Sequence, residues 1–209
     1  MSKIEVNTIE PQSGTSLTLG ASGDTITIPS GATLDGSNAT ALTGFASTNG
    51  ITMAQQWRLT TDFSINSDSP TVIASNWETI DTDDGGSIGS SMSQSSGIFT
   101  YPSTGIYNVT FVVQLVSPSA AVRYAGGQIE TTANNSSYDT AAANYNAIYF
   151  HPTGFGVSTM NFMHDVADVS NDKIRFKAEQ YNSGGASTSV KGSTSYNYTY
   201  ATFVRLGDT

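Results

Sequence analysis

Residues 99–115 read FTYPSTGIYNVTFVVQL and carry the clearest strand pattern of the chain. Side chains alternate between the two faces of a strand, so Tyr107, Val109 and Phe111 share one face and the polar residues between them share the other. Gly105 follows a proline-containing turn and permits a tight corner at the start of the strand. The stretch ends in the longest apolar run of the chain, which predicts a central strand with both faces covered at its far end.

The same period of two recurs along most of the chain, and no segment of helical length carries an apolar stripe. Turn residues bound nearly all of the alternating segments. Many short strands without helices are typical of an all-β sandwich or jelly roll. The predicted strands are 56–65, 72–80, 97–101, 105–116, 124–131, 146–150, 157–166, 173–180 and 196–206.

The composition changes near residue 50 and divides the chain into a segment 1–50 and a domain 51–209. The first segment holds a single aromatic residue, Phe45, whereas both Trp and all ten Tyr follow it. A segment this short cannot build a core of its own. Alternating residues at 17–19 and 25–28, separated by glycine turns, predict an extended, β-rich arm that packs with two further copies of itself. A disordered arm is the alternative.

Charge and cysteine content exclude several classes of function. The chain of 209 residues has 8 Lys+Arg against 17 Asp+Glu, a net charge of −9, so it lacks the basic surface that nucleic-acid binding needs. Without cysteine there are no disulfides, no Cys-ligated zinc and no thiol catalysis. No apolar run approaches the roughly 20 residues of a spanning helix, and no secretory signal is present, so we expect no membrane insertion.

The spacing around Gly105 resembles a family signature. The pattern F-x5-G-x-Y-x-(F/V)-x-F is carried by the core motif Phe99, Gly105, Tyr107, Val109 and Phe111. It is similar to the signature of the complement globular-head and tumour-necrosis-factor-like family. Residues 171–176 (NDKIRF) and 200–206 (YATFVRL) are similar to two later strands of that family. The resemblance covers about 53–209 and implies a ten-stranded jelly roll that forms trimers.

The beginning of the chain carries a second resemblance. Residues 6–33 look like the start of structural proteins from marine tailed phages, especially cyanophages. That resemblance implies a virion attachment or shaft segment in 1–50, which would bind other virion proteins, followed by an exposed head. It implies a protein of the virion that is made in the host cytoplasm and released by lysis.

Candidates for catalysis and for a metal site are few. His164 and Asp165 are neighbours on a predicted strand and point in opposite directions, and no G-x-S-x-G motif is present, so we expect no enzyme. Asp81, Asp83 and Asp84 precede a pair of glycines, and clustered carboxylates suit a hard cation such as calcium. The alternative, which we favour, is a solvated acidic loop without a cofactor.

Tyrosine- and asparagine-rich segments are the candidates for binding. Tyr supplies rigid amphipathic contact area and Asn supplies adaptable hydrogen bonds, a composition typical of binding loops. Ordinary loop composition is the competing interpretation. The receptor-binding candidates are Tyr138, Asn144, Tyr145, Tyr181 and Asn182.

A second group of tyrosines alternates near the end of the chain. Tyr196, Tyr198 and Tyr200 would share one face of a strand. We interpret them as an aromatic stripe at a trimer axis, with a ligand surface as the alternative.

These observations together predict a non-enzymatic homotrimer. Its most economical function is that of a short phage tail fibre whose head adheres to a host-surface glycan or other receptor. A capsid decoration protein that stabilises the shell is the alternative. An enzyme acting on surface polysaccharide is the third and least favoured class.

Overall fold

A computed structural model gives the fold of the chain. It divides into two compact units, Met1–Ser47 and Thr48–Thr209. Within the described residues no helix is long and apolar enough to cross a bilayer. The described residues are 9–11, 13–33, 50–65, 68–82, 84–117, 122–148, 154–181 and 187–209.

The described part of the first unit contains turns but no strand. The Ala21 N–H donates to Oδ2 of Asp24, and the Asp24 N–H donates to the Ala21 carbonyl. Residues 17–19 and 25–28, expected as strands, therefore do not form strands within one chain, because a strand needs a hydrogen-bonded neighbour. Their apolar side chains are 46–59% exposed: Leu17, Leu19, Ile26 and Ile28.

The second unit is all-β in its described residues, which confirms the predicted fold class. Thirteen strands are present there: β1 Met53–Leu59, β2 Phe63–Ile65, β3 Thr71–Val72, β4 Trp77–Thr79, β5 Ser93–Ser95, β6 Ile98–Thr100, β7 Gly105–Ser117, β8 Val122–Thr132, β9 Asp139–Ile148, β10 Gly154–Val166, β11 Lys173–Tyr181, β12 Thr188–Val190 and β13 Tyr200–Gly207.

The strands form two antiparallel sheets. The first sheet has the order β2-β12-β7-β13-β1-β4, and β10 pairs with the opposite edge of β7 along its whole length. The second sheet has the order β5-β6-β11-β8-β9, and β3 pairs with β11. The predicted central strand is β7, which pairs with β10 on one side and with β12 and β13 on the other. Its central position is confirmed, but the expected cover of both faces at its far end is incomplete, because Val112, Gln114 and Val116 are only half-buried.

Aromatic rings fill the space between the two sheets. The ring of Phe99 lies 5.4–5.5 Å from those of four other aromatic residues: Trp57, Trp77, Phe176 and Phe203. The predicted core positions Tyr107, Val109 and Phe111 are fully buried on the inner face of β7. Their burial confirms the inward and outward alternation of this strand.

Gly105 is the corner that the core motif requires. Its φ of +140° lies in a region that other residues rarely adopt. A Cβ at this position would lie 2.5 Å from the carbonyl oxygen of Gly207, where β13 ends. Glycine therefore allows β7 to begin directly against the end of its neighbour.

Several strand boundaries differ from the prediction. The segments 56–65 and 72–80 are each divided into two strands, because turns interrupt them. β5 and β12 are built largely from Ser, Thr and Gln, which carry little apolar signal, and were not predicted. β9 begins at Asp139 rather than 146, because its exposed, polar outer face concealed the period of two.

His164 occupies the inner face of β10, whereas Asp165 is exposed, so the predicted opposite orientation is confirmed. Its Nδ1 lies 2.9 Å from the buried hydroxyl of Tyr101. Burial lowers the pKa of His164 from its usual 6.5, against smaller raising effects of Asp172 and Asp165. The neutral imidazole is therefore the form that the folded domain favours.

Replacement of the central ring tests the role of the aromatic core. We expect Phe99→Ala to lower the free energy of unfolding by about 3–5 kcal/mol, because it leaves a cavity among four rings. Urea denaturation measures the loss. The exposed Leu206→Ala serves as the control and should change stability by less than about 0.5 kcal/mol. A loss of less than about 0.5 kcal/mol for Phe99→Ala would contradict the packing of the four rings around Phe99.

The buried imidazole predicts a pH-dependent stability. A folded-state pKa below that of the unfolded chain contributes stability above about pH 6.5, and this contribution is lost as the pH falls through the folded-state value. The melting temperature should therefore fall more steeply between pH 7.5 and pH 5 for the wild-type protein than for His164→Gln. Parallel pH profiles for the two proteins would contradict the assignment.

Candidate functional site

Three tyrosines meet on the outer face of the second sheet. Tyr124 on β8 pairs in register with Tyr181 at the end of β11. Tyr145 on β9 pairs with Gly126, the next residue on that face of β8. We call Tyr124, Tyr145 and Tyr181 the tyrosine cluster. Its position follows from alternation, because the intervening Ala125 on β8 is fully buried in the core.

Gly126 provides the space on which the cluster depends. A Cβ there would lie 1.9 Å from the carbonyl oxygen of Asn144 and 2.8 Å from Cδ1 of Tyr145. Only glycine lets β9 approach β8 closely with the Tyr145 ring beside it. The site therefore requires glycine at position 126.

The rings of the cluster contact one another directly. Tyr124 and Tyr181 are stacked, with centroids 5.4 Å apart and planes 13° from parallel. The ring of Tyr145 lies 5.3 Å from that of Tyr124 and is tilted by 59°. The guanidinium of Arg123 lies 5.8 Å from the centroid of Tyr181 and adds a cation–π contact. Tyr145 and Tyr181 remain 36% and 38% exposed, so the cluster is accessible.

Two polar side chains hold the third ring in place. The Tyr145 hydroxyl donates to Oε2 of Glu179 at 2.8 Å. The Gln128 amide donates to the Tyr145 hydroxyl at 2.7 Å and to the same Glu179 oxygen at 2.8 Å. Thr140 donates in turn to Oε1 of Gln128 at 3.3 Å. The ring and the carboxylate therefore form one connected network across β8, β9 and β11.

The environment of Tyr145 keeps its hydroxyl protonated. Burial and the hydrogen bond to Glu179 raise the pKa of Tyr145 to about 12, while the bond from Gln128 acts in the opposite direction. At neutral pH this hydroxyl is a hydrogen-bond donor to the carboxylate.

Two of the other receptor-binding candidates make contacts with residues outside the tyrosine cluster. The Tyr138 ring is covered by Arg175, whose guanidinium carbon is 3.8 Å from the ring centroid. The Asn144 amide donates to the Thr159 carbonyl of β10, so it joins the two sheets. Asn144 and Tyr145 precede the predicted strand 146–150, but they lie within β9. Asn182 lies outside the described residues.

The acidic loop at residue 81 is tied to the sheet. The buried guanidinium of Arg58 donates to Glu78 at 2.7 Å, to Thr82 at 2.8 Å and to Asp81 at 2.9 Å. Asp81 is therefore engaged by a cation of the chain itself. Asp84 adopts a left-handed φ of 58°, and Asp83 lies outside the described residues.

A polar groove lies beside this loop. It has a volume of about 370 Å³, and Gln56, Arg58, Thr82 and Tyr196 are among the residues that line it. No three His, Asp or Glu side chains come together as a metal site in the described part of the chain.

The terminal tyrosines do not alternate along one strand as predicted. Tyr196 and Tyr198 lie in a turn that precedes β13, which begins only at Tyr200. The Tyr198 N–H donates to the Tyr196 carbonyl, which bends the chain there. The rings of Tyr196 and Tyr198 nevertheless lie 5.8 Å apart. Their place at a trimer axis stays a prediction.

Sequence reasoning missed three members of the site. Tyr124, Gln128 and Glu179 lie on strands that were correctly predicted, but their grouping depends on which strands are neighbours. Tyr145 and Tyr181 were named as candidates on composition alone. A period-two count could have assigned Tyr124 and Gln128 to one outer face, but not the approach of β9 and β11.

No protein-family model matches the chain, and no curated protein matches it in sequence. Solved structures resemble it in fold. The crystal structure of murine APRIL at pH 5.0 has a TM-score of 0.53 at 14% identity, covering 74% of this chain and 98% of that chain. The structure of Eiger TNF from S. frugiperda has a TM-score of 0.52 at 13% identity, covering 75% and 93%. The second unit is therefore a TNF-like jelly roll.

The hydrogen bond between Tyr145 and Glu179 can be tested by titration. We expect Glu179→Gln to lower the pKa of Tyr145 from about 12, because the variant removes the charged acceptor. NMR of tyrosine labelled with ¹³C at Cζ measures the shift. Asp139→Asn, a carboxylate change on β9 outside the cluster, should leave the value unchanged. An unchanged titration in Glu179→Gln would contradict the network.

Proposed function

We propose that the protein is a trimeric, non-enzymatic adhesive protein of a phage virion, most simply a short tail fibre. Its jelly-roll head contacts a glycan on the host surface, and its arm attaches to other virion proteins. The observation that carries the proposal is the exposed tyrosine cluster on a rigid sheet. Rigid aromatic side chains with adjacent amide and carboxylate groups are suited to recognition. The virion setting rests on the resemblance of residues 6–33 to phage structural proteins.

Self-association is supported by apolar side chains that a single chain leaves uncovered. Phe155, Val157 and Met163 lie on one face of β10 and are 51–61% exposed. Burial of such residues against a copy of the same chain is favourable. Leu17 and Ile26 in the arm offer a second apolar surface. Three linked heads would turn a weak single site into strong adhesion through effective concentration.

A capsid decoration protein is the second candidate. The exposed apolar side chains of the arm support a decoration protein as much as a fibre, because such side chains suit binding to capsid subunits equally well. The number of copies per virion separates the two. A fibre would be present in tens of copies or fewer and a decoration protein in hundreds, which quantitative mass spectrometry of virions measures.

Light scattering tests the oligomeric state. We expect the full chain to have three times the mass of its 21.9 kDa subunit. The double variant Val157→Asp, Met163→Asp should lower this mass, because it buries unpaired charge in the interface. The control variant Tyr181→Asp introduces the same charged residue on the second sheet and should remain trimeric. A monomeric wild-type chain would contradict the proposal.

Adhesion tests the role of the cluster. We expect fluorescent full-length protein to bind host cells, and Tyr181→Ala to reduce binding at least tenfold, since trivalent attachment multiplies a weakened single site. Leu206→Ala, exposed on the first sheet, is the control with unchanged binding. If the wild-type protein does not bind host cells, the adhesive function is wrong.

A further inference from the structure

The carboxylate of Glu179 has one oxygen committed and one available. Its Oε2 accepts hydrogen bonds from both Tyr145 and Gln128. No hydrogen bond to its Oε1 is formed by the described residues. A carboxylate held by two donors has a defined orientation, and its remaining lone pairs can accept hydrogen bonds from a ligand.

The rings beside this carboxylate are held before any ligand arrives. Tyr181 is stacked on Tyr124 and contacts Arg123, and Tyr145 is held by its hydroxyl. Ligand binding therefore costs little side-chain entropy. The exposed parts of Tyr145 and Tyr181 form an amphipathic surface beside this hydrogen-bond acceptor.

We propose that the tyrosine cluster binds an uncharged hexopyranose, whose C–H face lies against the rings of Tyr145 and Tyr181 while its hydroxyls donate to Glu179. This inference rests on the proposed adhesive function and names the ligand class of its site. A pyranose combines an apolar face with hydroxyl groups around its rim. That combination matches flat rings that border one fixed carboxylate.

The carboxylate beside the rings disfavours an acidic sugar. Glu179 would repel a ligand carboxylate, and the whole chain has a net charge of −9. The nearby cations Arg175 and Lys177 are each 2.6 Å from an oxygen of Glu130, so both are engaged by that carboxylate, which balances one of their two charges. Arg123 lies over the ring of Tyr181. A uronic or sialic acid would therefore meet the Glu179 carboxylate beside the rings, while the nearby cations are engaged by Glu130 or by the ring of Tyr181.

The ring geometry disfavours a quaternary ammonium ligand. An aromatic cage presents several ring faces to one cation. Here Tyr124 and Tyr181 are only 13° from parallel and cover each other, so they do not enclose a central cation. Choline therefore serves as the comparison that separates a cage from a stacking surface.

The test uses the full-length protein and saturation-transfer NMR. The probes are the methyl pyranosides of glucose, galactose and mannose, with methyl glucuronoside and choline as comparisons. We expect at least one neutral hexoside to bind and both comparisons to bind more weakly. Glu179→Gln should weaken binding about tenfold, because it replaces a charged acceptor with a neutral one. Tyr181→Ala should weaken it at least tenfold, and Leu206→Ala should leave it unchanged.

Three results would overturn the inference, provided that each variant melts within a few degrees of the wild-type protein. These are no binding of any hexoside, stronger binding of glucuronoside or choline, and hexoside binding that neither Glu179→Gln nor Tyr181→Ala weakens. Host-cell adhesion distinguishes an error in the ligand class from an error in the adhesive function. If cells are bound but hexosides are not, only the ligand class is wrong; if hexosides are bound but cells are not, the adhesive function is wrong.

Discussion

Closely packed aromatic rings hold the two sheets of the second unit together. Phe99 contacts rings from β1, β4, β11 and β13, so a single side chain connects both sheets. Once these inner faces are fixed, the alternation of each strand determines what its outer face presents. The tyrosine cluster is thus a consequence of core packing, although none of its rings belongs to the core.

Much of the fold could be predicted from the sequence, because apolar and polar residues alternate visibly along each long strand. β7, β8, β10 and β11 were predicted within two or three residues, and the core motif is buried as expected. The site could be predicted only in part. Tyr124, Tyr145 and Tyr181 are far apart in the chain, and their meeting depends on strand pairing that local patterns do not encode. The engagement of Asp81 by Arg58, 23 residues away, was hidden for the same reason.

The open side of the sandwich is closed by side chains rather than by another strand. Asn144 and Asn146 on β9 donate to the Thr159 and Val157 carbonyls of β10, at 3.0 Å and 2.6 Å. These amides occupy acceptors that an edge strand would otherwise offer to a foreign strand. Asn144, one of the receptor-binding candidates, joins the two sheets beside the cluster and steadies the strand that carries Tyr145.

The separation of inner and outer faces has an evolutionary consequence. Tyr145 and Tyr181 are partly exposed and lie outside the core, so replacing them leaves the aromatic packing between the sheets intact. Gly126, beneath them, has no such freedom, because any side chain there would collide with β9. Natural variants that adapt to new ligands should therefore diversify at the exposed rings while retaining this glycine, so that the specificity of the surface can change faster than its scaffold.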